Sequence, residues 1–137
     1  MSQENVEVCK RALDLINRLG PTAGVEAALE YVDPEGVMES AIVSGAEGNT
    51  YRGHDGFRAS AAESEEAFEE LRSTPKEFRD LGDRVLMLGH VLVRGRESGA
   101  VVESQIGFLW TLRRRRMVHA KGFLDWAEAL EAAGLAE

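Results

Sequence analysis

The sequence predicts an α+β fold, on three observations. Helical periodicity dominates the first half of the chain, three long alternating segments follow from Val85 onward, and glycine-rich or charged turns join those segments as antiparallel hairpins. Helices early and strands late imply a sheet with its helices gathered on one face.

Each element has its own signal. Between Asn5 and Leu19, Val8, Ala12, Leu15 and Leu19 recur at three- and four-residue steps, and Cys9, Leu13 and Ile16 widen the same face. Glu7 with Arg11 and Asp14 with Arg18 are spaced to pair on the wet side, and Gly20-Pro21 stops this first helix. Val25, Leu29 and Val32 predict a shorter helix that ends before Asp33-Pro34. A strand is expected over Val37 to Val43, with Val37, Glu39, Ala41 and Val43 on one face. The loop Ser44-Gly45-Ala46-Glu47-Gly48-Asn49-Thr50 then leads to Tyr51-Arg52-Gly53-His54-Asp55-Gly56. Phe57, Ala61, Ser64, Phe68 and Leu71 predict a third helix with one packed face and an acidic remainder, closed at Pro75. A polar edge strand is expected around Lys76 to Leu81. Strands over Val85 to Arg94, Val101 to Leu112 and Met117 to Leu124 come next. Asp125 with Glu128 has capping-box spacing for a last short helix.

Composition narrows the function classes. The chain has 137 residues, of which 44% are hydrophobic and 29% charged, so one domain over residues 1–137 is expected, and no apolar run reaches the length that crosses a bilayer. The acidic, polar start gives no secretory signal, which makes the cytoplasm the expected location. A net charge of −8 repels phosphate backbones and excludes a general nucleic-acid binder. The basic run Arg113 to Arg116 is the local exception, read as a solvated hairpin tip or a contact for an acidic partner. Cys9 is the single cysteine, and the three histidines lie far apart without metal-binding spacing. Neither a metal nor a cofactor is therefore called for.

Several segments together resemble the bacterial SnoaL-like proteins. They are Asn17-Arg18-Leu19-Gly20, Asp33-Pro34-Glu35, Tyr51 to Phe57, Gly82-Asp83-Arg84-Val85, Leu109-Trp110-Thr111-Leu112, and Leu124-Asp125-Trp126-Ala127-Glu128 with the alanine-rich stretch to Gly134. The resemblance implies the nuclear transport factor 2-like fold: a cone-shaped, strongly curved antiparallel sheet with helices packed on its concave face around a pocket, often in a homodimer. It also implies a spread of activities, from isomerases, cyclases and hydrolases to non-catalytic proteins, so fold alone does not choose among them. Laid against the ketosteroid isomerases, Glu39 falls where their carboxylate base stands. The oxyanion-stabilising tyrosine and aspartate fall at Ala12 and Phe108, so steroid isomerisation is not expected. Arg114-Arg115 replaces the Asp-Gly hairpin of the relatives.

Glu39, set in an apolar row, is the first candidate for acid-base chemistry, because desolvation raises a carboxylate toward neutrality; its alternative is a pair with an arginine such as Arg52. His54, beside Asp55, is a second candidate, with bracing of the loop by His54 and capping by Asp55 as the structural alternative. His90, within an apolar strand, is a third, or else a hydrogen-bonded core histidine. Phe68, Ile106, Phe108 and Trp110 are expected to wall a greasy pocket, with Tyr51 and Ser104 as hydrogen-bonding members. His119 and Lys121 share a strand face with Met117 and Phe123, which the resemblance places outward or toward a second subunit, and are read as surface or interface. The expected partner is a small lipophilic molecule carrying a carbonyl, hydroxyl or epoxide oxygen, and the rival role is a dimerising interaction module.

Overall fold

The computed structural model describes residues 2–41 and 49–135. Helix α1 (Ser2–Leu19) is followed by α2 (Pro21–Ala28), a 3-10 turn (Leu29–Tyr31), strands β1 (Val32–Glu39) and β2 (Thr50–Arg52), and helix α3 (Gly53–Ala67). Strands β3 (Phe68–Asp80), β4 (Arg84–Gly95), β5 (Val101–Arg113) and β6 (Arg116–Phe123) come next, then α4 (Trp126–Ala132). The curved, open sheet has the order β2-β1-β6-β5-β4-β3. Its pairings are antiparallel except for β1 with β6, which run parallel, so the sheet is mixed.

Strand alternation sorts the core into two layers. On the concave face Val85, Met87 and Val91 of β4 meet Ile106, Trp110 and Leu112 of β5, and α1, α2 and Phe57 of α3 cover them. On the convex face Leu86, Leu88, Leu109 and Phe123 are covered by Ala129 and Ala133 from the C-terminal segment. Strand β4 is thus apolar on both faces, the pattern of a strand inside a sandwich of layers. Ile106 is 1% exposed, and burying such a side chain stabilises by about 1.5–3 kcal/mol. Asp125 caps α4: its Oδ1 accepts from Ala127 N at 2.7 Å and more weakly from Glu128 N at 3.4 Å. Trp126 Nε1 donates to Gly89 O at 2.8 Å and pins that helix to β4.

Three elements differ from the sequence reading. The third helix ends at Ala67, and Phe68 and Leu71 begin a thirteen-residue strand that pairs with β4 over its whole length. A strand buried on both faces needs a ladder on each side, and that requirement overrides a helical spacing that Leu71 and Phe68 fit only by coincidence. Pro75 lies on this edge strand beside a register shift, where its missing N–H removes no ladder bond. Val32 opens β1 opposite Met117 rather than closing α2. The expected strand residues Ile42 and Val43, and the loop through Gly48, lie outside the described residues.

Local contacts follow the sequence more closely. Arg18 Nε meets Asp14 Oδ2 at 2.8 Å, whereas Glu7 pairs with Lys10 at 3.9 Å instead of Arg11. At the β5–β6 hairpin, Arg114 (φ 54°) and Arg115 (φ 63°) both take positive φ between the paired Arg113 and Arg116. The two-residue turn therefore keeps the backbone that asparagine and glycine favour.

Candidate functional site

The concave face and the three long helices enclose a cavity of about 180 Å³. Its floor is aromatic and aliphatic: Ile106, Phe108 and Trp110 rise from β5, with the Phe108 and Trp110 rings 5.4 Å apart and Phe78 stacked 6.5 Å from Trp110. Met117, Ala120 and Gly122 of β6 continue it. The sequence placed Met117 on the same face as His119. A register shift between the Thr111–His119 and Leu112–Met117 pairs inserts one residue, Val118, and turns Met117 inward.

Helix α3 presents Phe57, Ser60, Ala61 and Ser64 along one side, the one-face spacing of a helix. Strand β3 adds Leu71 and Ser73, and α1 adds Ile16 and Asn17. Asn17 is committed to the backbone of β3. Its Nδ2 donates to Ser73 O at 2.7 Å and its Oδ1 accepts from Ser73 N at 3.1 Å. The sequence reading passed over Ser60, Ser73 and Asn17. The signal for Ser60 was present, since it shares the helical face of Phe57, Ala61 and Ser64. Ser73 was hidden because its segment read as helix.

Glu39 borders the cavity and is the one ionisable residue of the described lining. Its carboxylate, however, is held by neighbours on β6: Oε2 is 2.7 Å from His119 Nε2, and Oε1 is 3.8 Å from Lys121 Nζ. Register explains this, because Val37 and Glu39 lie opposite His119 and Lys121 while Met38 lies opposite Ala120, which faces the core. The carboxylate thus sits on the side of the sheet away from Met38. The arginine partner considered for Glu39 is replaced by this histidine and lysine, whose strand is adjacent and parallel.

The other candidate residues are dispersed. His54 Nε2 lies 2.8 Å from Val32 O, so its ring ties the start of α3 to the start of β1. Asp55 does not cap that helix. The helix begins earlier, at Gly53 with Arg52 as its N-cap, and Asp55 meets Arg58 at 3.0 Å. Arg58 also grips Glu26 of α2 at 2.8 Å; this hydrogen bond holds the Glu26 carboxyl below its ordinary range and, with Asp55, pushes the guanidinium up. His90 is exposed on the convex face, its ring edge-on to Trp126 at 5.1 Å. Tyr51 donates to Glu63 Oε1 at 2.6 Å, and Ser104 donates to Gln105 O at 3.0 Å. Phe68 lies half-buried at the head of β3. His54, His90, Tyr51, Phe68 and Ser104 are all outside the cavity lining, whereas Ile106, Phe108 and Trp110 are part of it. Among the described residues no cluster of three metal-ligating side chains occurs, and no helix is long and apolar enough to cross a membrane.

The model of the SnoaL-like domain matches residues 11–120, which run from the middle of α1 through most of β6. The chain belongs to the SnoaL-like family. Comparison with solved structures agrees on the fold. A nuclear transport factor 2-like protein of unknown function from Burkholderia pseudomallei superposes with a TM-score of 0.77 at 21% identity, covering 93% of this chain and 95% of that one. A SnoaL-like protein described as a putative polyketide cyclase, from Jannaschia sp., gives 0.75 at 19% identity over 98% and 94% of the two chains. TerC, crystallised with polyporic acid, gives 0.75 at 21% identity over 93% and 96%. No curated protein matches by sequence. At these identities the SnoaL-like likeness carries the fold, and the chemistry has to come from the cavity.

Proposed function

We propose that this SnoaL-like protein binds a small lipophilic molecule bearing oxygen functions in the cavity between its sheet and its first three helices. The observation that carries the reading is the cavity itself: about 180 Å³, walled by aromatic and aliphatic side chains and interrupted by a few hydroxyls. Native cores are packed to crystal-like density and leave few voids larger than water, so a space of this size speaks for an occupant rather than for filled core. An apolar cavity of about 150 Å³ already takes a benzene ring. These properties favour a pocket protein over the rival role, a dimerising module whose interior is closed.

The test is a thermal-shift titration with neutral aromatic phenols and ketones against the wild type and Ala61→Leu, which grows a branched side chain into the cavity. A ligand at one hundred times its Kd stabilises the wild type by about 2.7 kcal/mol and leaves the filled variant unmoved. Failure of every such ligand to stabilise the wild type, or equal stabilisation of both proteins, overturns the reading.

A second reading is favoured by one contact. Glu39 borders the cavity while its carboxylate, across the sheet from Met38, rests 2.7 Å from His119; on swinging from the imidazole toward the cavity it can take a proton from a bound molecule and, on returning, pass it through His119 to solvent. On this reading the protein is a cofactor-independent isomerase, cyclase or hydrolase. Glu39→Gln should then slow exchange of the α-protons of a bound aryl ketone with deuterated solvent by at least about a hundredfold. Unchanged exchange removes Glu39 from the chemistry and leaves a binder.

A further inference from the structure

Three hydroxyls face the cavity without a partner among the described residues. Ser60 and Ser64 are one turn apart on α3, their Cβ atoms about 5–6 Å from one another as for any such pair, and Ser73 stands on the inward face of β3 opposite Val91. Among the described residues none of the three hydroxyls is engaged by another side chain or by backbone. For Ser60 and Ser64 this is unusual, since a serine inside a helix commonly bonds back to the carbonyl four residues before it. Alanine would be the better helix former at both positions. Ser73 is 9% exposed and, among the described residues, is the single buried polar residue beside the hydrophobic core. Its main-chain N–H and C=O are both held by Asn17, which fixes the direction of its side chain while leaving the hydroxyl unspent.

Among the described residues no unpartnered side-chain polar atom is sealed from solvent, so these hydroxyls open onto the cavity space, and a ligand that expels water from it leaves all three without a hydrogen bond unless it carries a polar group of its own. Among the described residues no lysine, arginine or histidine lines the cavity, and the one ionisable lining residue is the anionic type, Glu39. An anionic ligand would lose its water and find no counter-charge.

From this we infer that Ser60, Ser64 and Ser73 form the specificity site of the cavity and select a neutral ligand through its hydroxyl or carbonyl oxygen, rejecting carboxylates. The inference rests on the proposed binding role, and its test separates the two. The probes are propylbenzene, 4-propylphenol and 4-propylbenzoate, titrated by calorimetry into the wild type and into Ser60→Ala/Ser64→Ala/Ser73→Ala, whose smaller side chains fit the same space. The wild type should bind the phenol about three- to tenfold more tightly than propylbenzene, the range expected for one or two net hydrogen bonds, and bind the benzoate most weakly. In the triple variant the phenol's advantage should vanish while propylbenzene affinity stays the same or improves. A wild type that does not discriminate phenol from hydrocarbon, or a variant that keeps the preference, overturns the inference and leaves the binding role standing. Benzoate binding more tightly than phenol overturns the selection for neutral ligands. If no probe binds, the binding role and the inference fall together.

Discussion

Asn17 holds Ser73 by both main-chain polar groups, donating to its carbonyl at 2.7 Å and accepting from its N–H at 3.1 Å. Strand β3 is at the edge of the sheet, and Ser73 turns these two groups away from β4. The side-chain amide therefore does what a further strand would do, closing the edge of the sheet against α1. It also sets one side of the cavity, since both residues line it.

Asn17→Ala should destabilise the fold by roughly 1–3 kcal/mol, because it strands a donor and an acceptor in a part-buried position instead of merely deleting one hydrogen bond. Urea denaturation measures this. A loss within about 0.5 kcal/mol, the size of an ordinary surface change, would mean that water replaces the amide and that the edge is not closed by it.

Cys9 gives a pH-dependent prediction. The side chain is 0% exposed on the inner face of α1, and burial raises its thiol above the ordinary value of 9.0. The folded state therefore holds the thiol proton more tightly than the unfolded state does. Stability from this group is complete below pH 9.0 and falls as pH rises beyond it, by up to about 1.4 kcal/mol per pH unit. Equilibrium unfolding at pH 8 and pH 10 should show a steeper alkaline loss in the wild type than in Cys9→Ala, and a thiol reagent at pH 8 should label Cys9 only as the protein unfolds. Equal pH slopes, or rapid labelling of the native protein, would contradict burial as the controlling factor.

How far the residues disclosed the structure depends on whether the deciding contact is local. The hairpins of β4, β5 and β6 were readable because alternation and turn residues lie within one stretch of chain. The same holds for Asp125, whose cap acts on its own helix. Glu39 alternates with Met38 as the strand period predicts, but β1 ends at Glu39, Ala41 joins Met38 on the cavity side instead of sharing the face of Glu39, and the face that Glu39 takes was not legible. That face is fixed by the parallel pairing with β6, eighty residues away in sequence. A single bulged residue, Val118, likewise decided that Met117 faces the cavity and His119 does not. Phe68 and Leu71 satisfy helical and strand periods at once, and only the need of β4 for a second neighbour chooses between them. The specificity site was half hidden for that reason: Ser64 lies on a legible helix face, and Ser73 lies on a strand that the sequence presented as helix.

The hairpin tip predicts a gain. Arg114 and Arg115 occupy positive φ, where an ordinary side chain costs roughly 1–2 kcal/mol, and asparagine and glycine relieve most of that. The substitution also removes the Arg115–Glu4 pair at 3.6 Å, but both partners are well exposed, and such pairs contribute about 0–1 kcal/mol. Strain relief should win, so Arg114→Asn/Arg115→Gly is expected to stabilise by about 1 kcal/mol with unchanged binding of cavity ligands. A lower midpoint in urea would show that the arginines make contacts worth more than their backbone strain.

Gly24 predicts a loss against helix propensity. Within α2, alanine should be better than glycine by about 1 kcal/mol. Gly24 is buried, however, where α2 crosses α1, and a Cβ there would overlap the Ile16 Cα and lie 2.8 Å from the Leu15 carbonyl oxygen. Those atoms are backbone and cannot rotate aside, so Gly24→Ala must push α2 away from α1. Such overpacking costs typically about 1–3 kcal/mol and here acts on two helices that both line the cavity. The net change should be destabilising, and ligand affinity should fall with it. Ala23→Gly, on the exposed side of the same helix, isolates the propensity effect and should cost about 1 kcal/mol with affinity unchanged. If Gly24→Ala instead stabilises the protein, the close approach of α1 and α2 is not what shapes this side of the pocket.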